Sequence, residues 1–108
     1  MIVVNTDFVP GREIQEALGI VRGSTIRAKH IGKDILAGLR TLVGGEIKEY
    51  TEMIIESRNQ AVQRMEAQAE KLDADAVINV RFVTAQVISG AAELLAYGTA
   101  VKLSPPSA

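Results

Sequence analysis

The N-terminal part of the chain has apolar residues at the spacing of β-strands. The β-branched run Ile2-Val3-Val4 predicts a short strand that is closed by the turn pair Pro10-Gly11. From Ala17 to Ala28, side chains alternate between two faces, and this pattern predicts a long, bent strand that contains several glycines. Glycines inside a strand mark a bulge or the close approach of another backbone, which could belong to a second subunit.

The middle of the chain has the periodicity of two helices. Asp34 is placed to cap a short helix whose apolar residues lie between Ile35 and Val43 and which ends at Gly44-Gly45. Beyond the glycines, an apolar stripe of period near 3.6 predicts a long helix from about Ile47 to Leu72. A helix of that length spans about 38 Å, so it must lie across one complete face of the domain.

The C-terminal part alternates again and predicts a hairpin. One strand runs from Ala76 to Ile88, Ser89-Gly90 is a turn, and the return strand runs from Glu93 to Leu103. The return strand places small residues on one face, and we expect a neighbouring subunit to pack closely against them at Gly98. These small residues are Ala96, Gly98 and Ala100.

These elements predict one α+β domain over residues 1–103, followed by a frayed tail at residues 104–108. We expect two layers, in which an antiparallel sheet is covered on one face by the long helix and the short helix. The other face lacks a cover, and the run from Phe82 to Ala92 has no charge. Both features would be liabilities on a monomer, so we predict a closed homo-oligomer.

Composition narrows the possible functions. The 108 residues have a net charge of -1, so no overall field attracts nucleic acid, and 4% aromatic residues with no Trp offer few stacking platforms. The absence of Cys excludes disulfides and thiolate metal sites, and neither a targeting segment nor an apolar stretch of membrane-spanning length is found. We predict a cytoplasmic protein without membrane insertion, nucleic-acid binding or a cofactor.

The order and spacing of several short stretches resemble the YbjQ-like family, which is sometimes labelled heavy-metal-binding. The stretches are Ile20-Val21-Arg22-Gly23, Asp34-Ile35, Ala37-Gly38-Leu39-Arg40, Gly44-Gly45, Arg58-Asn59 with Ala61, Ala74-Asp75-Ala76-Val77-Ile78-Asn79-Val80 and Gly98-Thr99-Ala100-Val101. The resemblance implies a dodecin-like subunit, with short additional strands that join protomers into a homopentameric ring. It implies no reaction and supplies no ligand residues.

His30 is the only imidazole of the chain. A metal site within one protomer needs three or four suitable ligands, and His30 has no such companions in the sequence, so we interpret it as a loop histidine. A five-fold ring could instead bring five copies of His30 together, which keeps a metal on the ring axis as an alternative.

Arg58 and Asn59 fall inside the long helix, where Asn is a poor helix former and a buried Arg needs a partner. They could bind an anion at a subunit cleft together with Arg40, or they could form an ion pair or capping bond with Asp34 or with a carbonyl at a strand end. No residue stands in a context typical of a nucleophile, a phosphate-binding loop or paired catalytic carboxylates, so we predict no catalytic residues.

Three functions remain open at this stage. We favour a non-enzymatic, pentameric module that binds a small ligand or ion at subunit junctions. The alternatives are a structural or adaptor ring that presents a surface to another protein, and a weak hydrolase or transferase.

Overall fold

The strands and the long helix follow the apolar periodicity of the sequence. A computed structural model describes residues 1–27, 48–88 and 91–106. The elements in chain order are β1 (Ile2–Val3), β2 (Ile14–Arg27), α1 (Lys48–Lys71), β3 (Ala76–Ile88) and β4 (Ala91–Leu103). The predicted α+β class, long helix and C-terminal hairpin strands are therefore confirmed. The predicted short helix that begins near Asp34 and the turn at Ser89-Gly90 lie outside the described residues.

The four strands form one sheet in the order β1-β3-β4-β2. β4 is antiparallel to both β2 and β3, whereas β1 is parallel to β3, with Ile2 opposite Ala76. The prediction of an antiparallel sheet is thus wrong for β1, and the sheet is mixed. No tight turn joins β1 to β3, so chain connectivity does not impose an antiparallel pair. Val4 consolidates the pairing, because its N–H donates to Val77 O at 3.0 Å and its carbonyl accepts from Val80 N at 3.1 Å.

α1 packs on one face of the sheet through residues spaced four apart. Its buried positions are Ser57, Ala61, Met65 and Ala69. Met65 is fully buried among Val21, Val77, Val80, Ala96 and Ala100. The two helical alanines keep α1 close to the sheet, and burial of a side chain such as Met65 contributes about 1.5–3 kcal/mol. Within the described ranges, no helix has both the length and the apolar character needed to cross a membrane.

α1 ends in a Schellman motif. Asp73 adopts a left-handed conformation with φ of 59°. Its N–H donates to Glu70 O at 2.9 Å, and Ala74 N donates to Ala69 O at 3.1 Å, so two carbonyls of the last turn are satisfied. Glycine is the usual residue at this position, and the short polar side chain of Asp is among the few alternatives that tolerate the conformation.

The opposite face of the sheet, which we call the outer face, is covered by described residues at one end only. There the N-terminal segment places Val9 in a second cluster with Ala76, Ile78, Val101 and Leu103. Further along the sheet no residue of the described ranges packs over the outer face, and Ile20 and Ile26 are 71% and 62% exposed.

The small residues of β4 pack under α1 of the same chain and do not form a surface for a neighbouring subunit. Ala96 and Ala100 are fully buried in the cluster around Met65. Gly98 is buried as well, and a Cβ there would come within 2.8 Å of Ile78 O and 2.7 Å of Val77 Cγ1. The expectation that this face meets another protomer is therefore wrong. The close approach that small residues permit is used by the helix and by β3 of the same chain.

Candidate functional site

The residues predicted to form a site are divided between described and undescribed parts of the chain. His30, Asp34 and Arg40 lie outside the described residues, and their roles stay predictions. Arg58 and Asn59 lie in the middle of α1 with both side chains exposed. Since neither is buried in the single chain, neither needs a partner to offset desolvation. Both remain accessible to an anion or to another subunit.

The backbones of β2 and α1 approach each other closely at Gly23, where the absence of a Cβ leaves room for the helix. A Cβ on Gly23 would lie less than 3.0 Å from Ala61 O, Met65 N and Arg64 Cβ. Gly19, in contrast, has a φ of 133° and lies at a bulge of β2. The prediction of a bulge and of a close backbone approach is confirmed, and the approaching backbone belongs to the chain's own helix.

Side chains of α1 also occupy the outer hydrogen-bonding groups of β2, which is an edge strand. Gln68 Oε1 accepts from Arg22 N at 2.9 Å, and Arg64 Nη1 donates to Ser24 O. Thr25 Oγ1 donates to Ser57 O at 3.4 Å a little further along. Exposed edges invite pairing with other chains, and proteins commonly cover them. Arg64 and Gln68 therefore block this edge at its centre.

The other edge of the sheet has no comparable cover in the described part of the chain. β1 pairs with the start of β3 only, at Ala76 and Val77, and Asn79 N donates to Thr6 O. From Arg81 to Ile88 the side of β3 turned away from β4 has no strand partner among the described residues, and we call it the open edge. Phe82 and Val83, on opposite faces of this strand, are 48% and 44% exposed.

A shallow groove of about 350 Å³ runs across the outer face from β2 to β3. We call it the outer groove, and it is lined by Ile20, Arg22, Val83, Leu95 and Tyr97. Tyr97 on β4 is the cross-strand partner of Arg22 on β2, and Leu95 is the partner of Val83 on β3. The Arg22 guanidinium and the Tyr97 hydroxyl bond to no described residue.

A second groove, of about 510 Å³, lies on the other side of β3 between β1 and α1. Its walls include Val3, Val62 and Phe82, and its cation is Arg81. The Arg81 guanidinium is already engaged, because Nη1 donates to Asn5 O at 2.9 Å and to Val80 O at 3.0 Å. The groove is lined mainly by apolar side chains, and its one cation is held against the backbone through Nη1.

A third groove, at the end of the sheet, is lined by charged groups of both signs. Arg12 Nε donates to Ser104 O at 2.7 Å, and Lys102 Nζ lies 3.0 Å from Asp73 Oδ2. The bond to Asp73, with the nearby charge of Asp75, raises the pKa of Lys102 above its ordinary value. Asp75 also accepts Leu103 N at 2.8 Å, so these groups stabilise the junction of strands and leave little free charge for a ligand.

No group of three or more His, Asp or Glu residues with the arrangement of a metal site occurs within residues 1–27, 48–88 and 91–106. The full sequence contains no Cys and a single His. Thiolates and imidazoles are the ligands that soft, heavy ions prefer. A heavy-metal site of high affinity within one chain therefore does not fit these residues.

The family model described as "Putative heavy-metal-binding" matches residues 1–104. The chain belongs to the YbjQ-like family. Relatives cover nearly its whole length. A UPF0145 protein of Fervidobacterium nodosum is 65% identical over 103 residues, which is 95% of each chain. Another, from Archaeoglobus fulgidus, is 62% identical over 103 residues, again 95% of each. One from Thermus thermophilus is 56% identical over 105 residues, covering 97% of this chain and 92% of the relative.

A solved structure shares the YbjQ-like fold at low sequence identity. It is the crystal structure of a Pediococcus pentosaceus protein of unknown function from the DUF74 family, with a TM-score of 0.63 and 16% identity. The match covers 96% of this chain and 98% of the other. At this identity the comparison establishes the fold alone. The names of the YbjQ-like relatives attach no reaction, substrate or ligand to them, and the function of the family is uncharacterised.

Sequence reasoning missed the features that dominate this geometry. Arg64 and Gln68 have the spacing of an ordinary solvated helix face, and nothing local indicates that they reach a strand edge. For the outer groove a signal was present, since Ile20 and Arg22 alternate with the buried Val21 on β2. On β2, apolar side chains lie on one face and glycines on the other. If the glycine face packs closely against another element, the apolar side chains of the other face are left exposed on the sheet.

Proposed function

We propose that this chain is a non-enzymatic, homo-oligomeric module whose subunits join along the open edge of β3 and which binds a small ligand or ion at the subunit junctions. The open edge carries this proposal. It is eight residues long, from Arg81 to Ile88, and has no charge after Arg81. Phe82 on one face and Val83 on the other are both about half exposed.

The contrast between the two sheet edges supports a partner at β3. Proteins protect exposed edges with charges, prolines, bulges or covering groups, because an uncovered edge pairs with other chains. On β2, Arg64 and Gln68 supply that protection. On β3, the described residues supply none beyond the short pairing with β1. One protected edge and one apolar, unprotected edge favour a specific partner at the unprotected one.

A second copy of the chain is the partner that suits this edge best. Most soluble oligomers are homo-oligomers with closed symmetry. A paired segment of eight residues extends about 26 Å and satisfies alternate backbone groups along its length. Membership in the YbjQ-like family supports a dodecin-like subunit and a ring of five. The proposed cytoplasmic location is supported by the sequence alone.

The test of assembly is native mass spectrometry together with light scattering at micromolar concentration. The wild type should be a closed oligomer, and a pentamer if the family-derived ring size holds. The double variant Phe82→Lys/Thr84→Lys places two charges on the open edge and should lower the mass of the particle. The matched control is Gln63→Lys/Ala67→Lys, which adds the same charge at exposed positions of α1. A monomeric wild type, or equal effects of the two variants, would contradict the proposal.

The open edge also bears on the adaptor alternative, because an extended segment of a different protein could add to β3 in the same way. A purified chain that is monomeric but gains a strand from a partner would favour the adaptor. No observation on the described residues favours the hydrolase or transferase alternative.

Ion binding is proposed only between subunits, where five copies of His30 could meet. Because the chain has no Cys and one His, a titration with Cd²⁺ or Hg²⁺ should give no tight ion per protomer. Binding of about one ion per ring that is lost in His30→Ala would support the axial site. One tight ion per protomer would contradict this part of the proposal.

A further inference from the structure

We propose that the outer groove is a binding site for a small organic anion with an apolar body, of the class of medium-chain carboxylates. The proposal deepens the ligand-binding half of the function proposed above by naming a site and a ligand class, while it does not depend on the number of subunits. The juxtaposition that carries it is a guanidinium and a phenol, each without a partner among the described residues, between the exposed apolar side chains of one groove.

The groove offers apolar contact to a ligand along three adjacent strands. Ile20 on β2 is 71% exposed and Val83 on β3 is 44% exposed, with the half-buried Leu95 on β4 between the two strands. Leu95 and Val83 are cross-strand partners about 5 Å apart. Ile20 lies opposite Thr99, on the other side of the Arg22–Tyr97 pair, so apolar side chains flank that pair in both directions along the sheet. The volume of about 350 Å³ is at the lower end of the range for small-molecule sites and suits a body of few carbon atoms.

The polar side chains in the middle of the groove select an anion. Arg22 and Tyr97 face each other across β2 and β4, and Arg81 is the partner of Tyr97 on the other side. No acidic side chain lines the groove. The nearest acid along β4 on this face is Glu93, which is four residues from Tyr97 and so about 13 Å away along the strand. A carboxylate could accept two parallel hydrogen bonds from the Arg22 guanidinium and a third from the Tyr97 hydroxyl.

The other two grooves lack this combination. In the groove beside β1, Nη1 of Arg81 already donates to Asn5 O and Val80 O and is held against the backbone, whereas the Arg22 guanidinium has no partner among the described residues. At the end of the sheet, Lys102 is paired with Asp73 and Arg12 is bonded to Ser104 O. Among the described grooves, an apolar wall and an unengaged cation therefore coincide at Arg22.

Assembly along the open edge would deepen the outer groove and would not need to fill it. Val83 is the wall of the groove that belongs to β3, so a strand added to β3 would lie beside Val83 and extend the sheet. A ligand held by Arg22 and Tyr97 would then lie near the junction of two subunits. The apolar lining of the groove and the positive charge of Arg22 are complementary to an amphipathic anion. A second subunit in the groove would instead have to bring a buried carboxylate of its own.

The experiment compares octanoate with 1-octanol by isothermal titration calorimetry and by amide chemical shifts. We expect saturable binding of octanoate, with shifts on β2 and β4 around Arg22 and Tyr97, and much weaker binding of the uncharged alcohol. Arg22→Gln keeps most of the stem and removes the charge, so it should weaken octanoate binding at least about tenfold. Arg22→Lys should restore part of the affinity, and Tyr97→Phe should weaken it by a smaller factor.

Lys71→Gln is the control, because it removes the same charge from an exposed position of α1, on the other side of the sheet. It should leave octanoate binding unchanged. Since the Arg22 side chain is exposed, Arg22→Gln should fold normally, which circular dichroism checks. Equal effects of the two substitutions, equal binding of the alcohol, or no saturation at millimolar octanoate would each overturn the proposal.

Native mass spectrometry of the same samples distinguishes a failure of the anion site from a failure of the proposed assembly. A monomer that still binds octanoate through Arg22 would defeat the proposed assembly and leave the anion site intact. An oligomer that dissociates in Arg22→Gln and does not bind octanoate would identify the groove as a contact between subunits, and the anion site would be overturned.

Discussion

Replacement of Gly23 by Ala tests the contact that fixes α1 on the sheet. The added Cβ would lie 2.7 Å from Arg64 Cβ and also closer than 3.0 Å to two backbone atoms of α1, Ala61 O and Met65 N. Carbon atoms normally pack at about 3.5–4.0 Å, so the helix has to retreat by about 1 Å. Backbone atoms of a helix cannot swing aside as the end of a long side chain can.

The loss of stability depends on the contacts between α1 and the sheet that the displaced helix loses. A gap of that size forfeits about a quarter to a half of each dispersion contact across the interface. The interface includes the fully buried Ala61, Met65 and Ala69. Overpacking of a core costs about 1–3 kcal/mol in general, while replacement of Gly returns about 0.4–1 kcal/mol through the unfolded state. We expect Gly23→Ala to lower the free energy of unfolding by about 2 kcal/mol, or the midpoint temperature by roughly 10 °C.

The assay is urea denaturation followed by far-UV circular dichroism, with all proteins at one concentration because assembly would couple stability to concentration. Gly11→Ala is the control. Gly11 has a φ of 78° and no atom within 4 Å of a Cβ built on it, so its replacement costs conformational strain of about 1 kcal/mol without a clash. If Gly23→Ala destabilises the protein no more than Gly11→Ala, the helix does not approach β2 as described.

Three further predictions concern exposed polar groups. Arg64→Ala/Gln68→Ala should uncover the β2 edge and produce high-mass species in light scattering, whereas Gln63→Ala, at an exposed position of α1 with no such contact to β2, should not. Asp73→Ala should cost about 1 kcal/mol in urea denaturation, because Ala is strained in the left-handed conformation, while Asp73→Gly should cost less than half as much. The raised pKa of Lys102 means that its stabilising contribution is present below about pH 10.4 and is lost as the pH rises through the raised value. The stability difference between wild type and Lys102→Met should therefore shrink as the pH rises through that raised pKa, and a difference independent of pH would contradict the assignment.

The sequence predicted the elements well, because their periodicity is strong and local. The apolar stripe that contains Ala61, Met65 and Ala69 has the spacing of one helix face, and α1 begins and ends within a residue of its predicted bounds. β3 has the bounds Ala76–Ile88 that alternation predicted. Each of these signals depends on neighbours in the chain and not on the rest of the fold.

The arrangement of the elements was predicted less well, because it depends on contacts between distant residues. β4 has an apolar face and a small-residue face, and either could in principle meet a helix. The structure places the small residues Ala96 and Ala100 under α1, since a helix that touches the β2 backbone at Gly23 leaves no room for larger ones. The parallel pairing of β1 likewise has no local signature.

The candidate site shows the same difference between local features, which the sequence reveals, and contacts between distant residues, which it does not. Arg58 and Asn59 drew attention because Asn is unusual inside a helix, yet both are exposed. Arg64 and Gln68 are ordinary helix residues, and their contacts with β2 depend on how α1 crosses the strand. Sequence alone could therefore name unusual residues but could not find the groups that the fold brings together.

The order of strands in the sheet determines how late in synthesis the sheet can form. Among the described residues, β1 pairs only with β3 and β2 pairs only with β4, so both N-terminal strands find partners in the last third of the chain. During synthesis, β2 and then α1 are made before Ala76 is added to the chain. Pairings of such long sequence separation are slow to form, and the exposed apolar strand is prone to aggregation in the meantime. We therefore expect the sheet to form only after synthesis is nearly complete, and truncation before β4 should leave a chain without stable strands.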